Sequence, residues 1–139
     1  MGEKNRDIRR LLWYGNKILV AKNEGLFEYD PRDRISGNVY DAPNKATHNG
    51  TVLILHNGSA WSTFDDNWIE YDLASVEEHK IFMQEGTGTQ PFYNPNVVGA
   101  MSSGKRMFLV VKVTTTEATP NYHYFLTIYT GAAGGYHPV

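Results

Sequence analysis

One short pattern recurs along this chain at strand-like spacing. Leu26-Phe27-Glu28-Tyr29-Asp30 and Trp68-Ile69-Glu70-Tyr71-Asp72 share the order apolar-apolar-Glu-Tyr-Asp. Such alternation suits a half-buried strand, whose successive side chains point to opposite faces. Tyr124-Phe125-Leu126-Thr127-Ile128-Tyr129 is a third strand of the same kind. Tyr29 and Tyr71 lie 42 residues apart, and Tyr71 and Tyr129 lie 58 apart. The longer interval holds an insertion-like segment, Glu85-Gly86-Thr87-Gly88-Thr89-Gln90-Pro91.

An apolar strand that follows a turn precedes each copy. Ile18-Leu19-Val20-Ala21 follows Tyr14-Gly15-Asn16-Lys17, and Thr51-Val52-Leu53-Ile54-Leu55 follows Asn49-Gly50, the strongest short hairpin signal. Met107-Phe108-Leu109-Val110-Val111-Lys112-Val113 follows Ser103-Gly104-Lys105. Self-similarity at about 40–50 residues, with hairpins in each unit, is what propeller blades produce. Three similar hairpins in a single β-sandwich would leave the same trace. The expected fold is therefore one all-β domain over 1–139, with propeller-blade-like units at about 8–35, 46–75 and 96–131. The Gly-rich tail, 131–139, is expected to be flexible.

Helix is scarce. Ser75-Val76-Glu77-Glu78 has capping-box spacing and could start two helical turns reaching Gln84, against a competing strand at Lys80-Ile81-Phe82-Met83. Composition narrows the class further. Three Trp, nine Tyr and six Phe spread along the length exclude disorder of the whole chain. The absence of cysteine removes disulfide staples, thiolate zinc sites and thiol catalysis. Apolar runs reach about five residues, too short for a bilayer span, and no secretory signal pattern is visible, so a soluble chain is expected.

Net charge is −2, unevenly placed. Lys4, Arg6, Arg9 and Arg10 crowd the start, whereas Asp65, Asp66, Glu70, Asp72, Glu77, Glu78 and Glu85 dominate the middle. Four basic residues interleaved with Glu3 and Asp7 make a poor phosphate-binding stripe, so nucleic-acid binding is disfavoured. An acidic middle and a basic end would suit a head-to-tail contact between subunits, although solvated faces of both signs are the simpler reading.

The chemistry-bearing residues are scattered. His48, His56, His79, His123 and His137 form no His-x-His or His-x-x-x-His pair, so each reads as a surface or strand-face histidine. Asp65-Asp66-Asn67 with Glu70 is oxygen-rich enough to hold Ca²⁺, but lacks the alternating ligands around a glycine; turn formation is the competing reading. Gly86-Thr87-Gly88-Thr89 is too short for a phosphate loop, and no Gly-x-Ser-x-Gly elbow exists. Asn49-Gly50-Thr51 and Asn57-Gly58-Ser59 match the N-glycosylation acceptor and read more simply as turns. Trp13, Trp61, Trp68, Tyr14, Tyr40, Tyr93, Tyr122 and Tyr136 lie beside turn-forming residues. Aromatic rings at loop rims stack on sugar faces, with core packing as the alternative.

The segment Ser62-Thr63-Phe64-Asp65-Asp66-Asn67-Trp68 resembles the Asp-box turn of sialidase-type propellers, one residue short and with Asn67 in place of glycine. Asn can adopt the positive φ that the glycine would supply. Residues 96–110, from Asn96-Val97-Val98-Gly99 to Arg106-Met107-Phe108-Leu109-Val110, resemble a blade of bacteriophage endosialidase tailspikes, with Thr114–Pro120 as its long loop. The resemblance spans about residues 49–130. The arginine triad and Tyr–Glu pair of that family do not carry over. Of six arginines, Arg106 alone falls on an expected strand, so sialidase activity is not implied.

The resemblance implies a non-enzymatic virion or surface protein, a phage tail or capsid component that self-assembles or docks on other virion proteins. No cofactor is implied. Its alternatives are a glycan-binding lectin using Trp61, Asn67, Trp68 and Tyr93, or a segment of a sialidase-like glycan-active propeller. Length sharpens the expectation. Three blades cannot close a ring that takes four to eight, so strand edges or apolar flanks would be exposed.

Overall fold

A computed structural model of the chain describes residues 7–80, 93–114, 121–129 and 136–138, with 93–94 and 136–138 described through their backbone. No helix occurs among the described residues, and therefore none long and apolar enough to cross a membrane. Among the described residues, twelve strands form three antiparallel four-stranded sheets, each a meander in chain order. The first sheet contains β1 (Ile8–Tyr14), β2 (Lys17–Lys22), β3 (Gly25–Asp30) and β4 (Ile35–Asp41). The second contains β5 (Leu53–His56), β6 (Ser59–Phe64), β7 (Asn67–Tyr71) and β8 (Val76–Lys80). The third contains β9 (Tyr93–Ser103), β10 (Arg106–Thr114), β11 (Tyr122–Tyr129) and β12 (Tyr136–Pro138).

The recurrent strand pattern occupies the third strand of every sheet: β3, β7 and β11. The sheets stack side by side. β5 touches both β1 and β9, so the leading strands of neighbouring sheets adjoin. Tyr14, Leu19, Ala21 and Leu26 of the first sheet pack on Leu53, Ala60, Phe64, Ile69 and Tyr71 of the second. The opposite face of the second sheet packs Trp61 and Trp68 on Val97, Met107, Leu109, Val111, Val113 and Tyr129. Three four-stranded sheets, the middle one covered on both faces, differ from a two-layer sandwich.

Three local expectations are corrected. The capping-box residues Ser75-Val76-Glu77-Glu78 start β8 rather than a helix. The Asp72 Oδ1 accepts hydrogen bonds from the Ala74 and Ser75 amides at 2.9 and 2.8 Å, closing a turn that pairs Val76 with Tyr71. Asn49-Gly50 is not a hairpin but part of the connection between the first and second sheets. Asn49 is fully buried there: its Nδ2 donates to the Asn23 and Asn44 carbonyls (2.9 and 2.5 Å), and its Oδ1 accepts from the Asp65 amide at 2.6 Å. Burial also removes it as a glycan acceptor in the folded chain. The hairpin turn is Asn57-Gly58, with φ of 48° and 79°, joining β5 to β6. Thr51–Leu55 accordingly supplies a leading strand, and the second strand of that sheet is β6.

At the chain's end, Tyr136–Pro138, expected within the flexible tail, pair with β11 as β12. Residues 81–84, 85–91, 115–120 and 131–135, which carry parts of the expected helix or strand, the insertion-like segment, the long loop and the tail, lie outside the described residues.

Candidate functional site

A cleft of about 280 Å³ opens where the second and third sheets meet. Strand register builds it. Trp61, Glu70 and Glu77 lie directly opposite one another across β6, β7 and β8, and Trp68 lies opposite His79. Period-two alternation puts all five on the face that meets the third sheet. Tyr129, at the end of β11, arrives from that third sheet, and His56, Asn57 and Lys105 complete the lining.

His79 is the hub. Its ring lies 5.0 Å from the Trp61 ring, and Tyr129 meets Trp61 edge-on at 5.3 Å. The His79 Nε2 is 3.2 Å from Glu70 Oε1 and 4.0 Å from Glu77 Oε2, while Nδ1 is 3.1 Å from the Tyr129 hydroxyl. The neutral tautomer protonated on Nε2 satisfies both sides, donating to Glu70 and accepting from Tyr129. Burial, reinforced by the negative charges of Glu70 and Glu77, pushes the Tyr129 phenol up to about 12. At neutral pH this hydroxyl is thus a hydrogen-bonding group and not a base. His56, itself buried, places Nδ1 2.7 Å from Ser102 Oγ, tying the β5–β6 turn to β9.

Of the glycan platform expected from Trp61, Asn67, Trp68 and Tyr93, burial corrects Trp61, Asn67 and Trp68. Trp68 is fully buried and Asn67 is 2% exposed, with its Nδ2 donating to the Tyr40 hydroxyl at 3.2 Å. Trp61 stacks on Trp68 at 5.9 Å and is itself only 5% exposed where it lines the cleft. Both tryptophans are inter-sheet core because the third sheet covers their face. Tyr93 belongs to β9, and its side chain lies outside the described residues. Of the other rim aromatics, Trp13 and Tyr122 are exposed, whereas Tyr14 is buried.

The expected calcium cluster also separates. Asp65 Oδ2 accepts from Asn44 Nδ2 at 2.8 Å and Asp66 pairs with Lys80 at 2.9 Å, both at the β6–β7 turn. Glu70 instead faces His79. Asp65, not Asn67, takes the positive φ of that turn, at 56°. The Asp-box-like segment therefore joins the two middle strands of its sheet, not the outer pair, with its Trp68 packed between sheets.

Sequence reading missed Glu77, His79 and Tyr129 as neighbours. Glu77-x-His79 on one strand face was the available signal; adding Glu70 requires the β7–β8 register. No protein-family model, curated protein or solved structure matches this chain.

Proposed function

We propose that the chain is a non-enzymatic structural or receptor-interaction protein that assembles through the outer faces of its first and third sheets. The observation that carries this reading is apolar exposure on both faces. On β1, Leu11 and Trp13 are each 61% exposed; on the third sheet, Met101, Tyr122, Tyr124 and Leu126 are 49–61% exposed. Cross-strand pairing groups the latter with Phe108, Val110 and Ile128 into one face. Contiguous exposed apolar surface of this kind marks an interaction site. Packing the outer face of a third sheet on the outer face of a first sheet would repeat the contact already made twice within the chain. Two copies would supply six blades, within the range of closed propellers. The resemblance to tailspike propellers supports a phage tail or capsid setting, with other virion proteins as alternative partners.

Sedimentation analysis tests the reading. The wild-type chain is expected to self-associate, and Leu126→Asp to give a monomer with an unchanged circular dichroism spectrum. A wild-type monomer at the highest soluble concentration would overturn self-assembly.

A second reading, glycan binding, is favoured by the exposed Tyr122 and Tyr124 with Lys112, whose Nζ sits 4.1 Å from the Tyr122 ring centroid. Binding on a glycan array, lost in Tyr124→Ala, would favour it. Turnover of a fluorogenic sialoside would instead favour the glycan-active reading.

A further inference from the structure

We infer that Glu70, Glu77 and His79 bind a divalent transition-metal ion of the zinc class at the cleft between the second and third sheets. The inference is independent of how the chain assembles.

Register supplies the first argument. Glu70 and Glu77 are direct cross-strand partners on the same face of a two-strand ladder. Like charges so placed destabilise a sheet. A broken local rule of this kind is expected at functional sites. Among the described residues, the imidazole of His79 is an ion-pair partner of both carboxylates. Two carboxylates and one neutral imidazole would offset a divalent cation's charge.

The donor set supplies the second. One atom from each residue lies within 4.8 Å of the other two. Tetrahedral zinc, with ligands about 2.0–2.2 Å from the metal, holds donor atoms roughly 3.3 Å apart. The 3.2 Å between His79 Nε2 and Glu70 Oε1 already meets that spacing. Glu77 Oε2, 4.0 Å from that nitrogen, would have to move inward to reach this spacing. Its side chain is 70% exposed and free to make it. A mixed imidazole–carboxylate set suits zinc, manganese or iron, whereas calcium takes six to eight oxygens.

The surroundings of His79 supply the third. A metal on Nε2 requires the imidazole proton on Nδ1, where the Tyr129 oxygen, 3.1 Å away, can accept it. The Trp61 ring, 5.0 Å off, fixes the imidazole plane. Three protein ligands leave a fourth position facing the cleft, open to water.

The test is a calorimetric titration of tag-free, chelator-stripped chain with Zn²⁺, paralleled by Co²⁺ absorption. One saturable equivalent is expected, with Co²⁺ bands of low coordination number and no competition from Ca²⁺. Glu77→Gln, at an exposed position that leaves folding intact, should weaken binding at least tenfold. His79→Gln should abolish the Co²⁺ bands. Tyr129→Phe, as a positioning change, should cost about 10–100-fold in affinity. Absence of saturable Zn²⁺ binding, or binding undiminished in both Glu77→Gln and His79→Gln, would overturn the assignment.

Discussion

A half-polar strand of this protein is buried throughout, and a more apolar one is half open. β6, Ser-Ala-Trp-Ser-Thr-Phe, is buried at every position, whereas β10, Arg-Met-Phe-Leu-Val-Val-Lys-Val-Thr, alternates between buried and partly exposed after its exposed first residue. The difference is one of neighbours. β6 is a central strand of the middle sheet, which has a sheet on each face, so even Ser62 is enclosed and donates to the Val52 carbonyl at 2.6 Å. β10 belongs to a terminal sheet. Met107, Leu109, Val111 and Val113 face the second sheet, and Phe108 and Val110 face outward. Apolar content on the uncovered face exceeds what a solvated antiparallel face normally carries. That excess is the physical basis for expecting a further layer.

Mutation can break or sharpen this contrast. The largest effect is expected at Trp68, fully buried between the second and third sheets. Trp68→Ala should cost about 3–5 kcal/mol in urea unfolding, the range for a large aromatic removed from a core. Leu126→Ala, on the outward face of the neighbouring sheet, should stay within about 0.5 kcal/mol when measured on monomer. If Leu126→Ala approached the cost at Trp68, the outer face would already be packed within the chain, and the contrast would fail.

A middle-sized effect separates a glycine packed on the first sheet from one at an open turn. Gly50 has φ of +68°, and a Cβ there would lie 2.9 Å from the Lys22 carbonyl oxygen in β2. Gly58, at φ +79°, has open space around its Cβ position. Gly58→Ala should cost about 1 kcal/mol for the left-handed backbone alone. Gly50→Ala should cost at least about 2 kcal/mol, because rigid backbone must also move. Thermal melts of the two variants would measure the gap; equal costs would show that the first and second sheets do not clamp residue 50.

The smallest expected effect compares the two inter-sheet contacts by pH. Between the first and second sheets, Glu28 accepts from Tyr71 at 2.6 Å and pairs with Lys17 at 2.8 Å. Burial pushes the Glu28 carboxyl up, but the Lys17 and Tyr71 hydrogen bonds together bring it below its ordinary 4.5. A depressed folded-state value means the stabilisation is complete above pH 4.5 and is lost as pH falls through the folded value. Glu28→Gln should therefore flatten the acid limb of stability below that pH in chemical-denaturation series. Glu77→Gln, at the other contact, should leave the Glu28 contribution to that limb in place. An acid limb unchanged by Glu28→Gln would remove the pair from the first contact.

Much of the architecture was legible because strand formation is local. The alternation in β3, β7 and β11 and the Gly-containing turns at Gly15-Asn16 and Gly104-Lys105 specify hairpins from within a few residues. Where local motifs were degenerate, reading failed. Ser75-Val76-Glu77-Glu78 fits a helix start and a hairpin exit equally, and the pairing of β8 with β7 resolves it. Asn49-Gly50 carries a hairpin signature, yet its amide side chain is used to join two sheets. The candidate site was least legible. Its members come from β7, β8 and β11, and their approach depends on register in one sheet and on the packing of another against it.

The amino-acid order thus sets the all-β class, the hairpin units and their period, since backbone preference and side-chain alternation act over single strands and turns. Which faces are covered is a different kind of property. Residues dozens of positions away made Trp61 and Trp68 core when the sheets stacked, whereas the β7–β8 register brought Glu70, Glu77 and His79 together on one face and left Asp65 at the β6–β7 turn. A strand carries its pattern within itself; its burial is conferred by its neighbours.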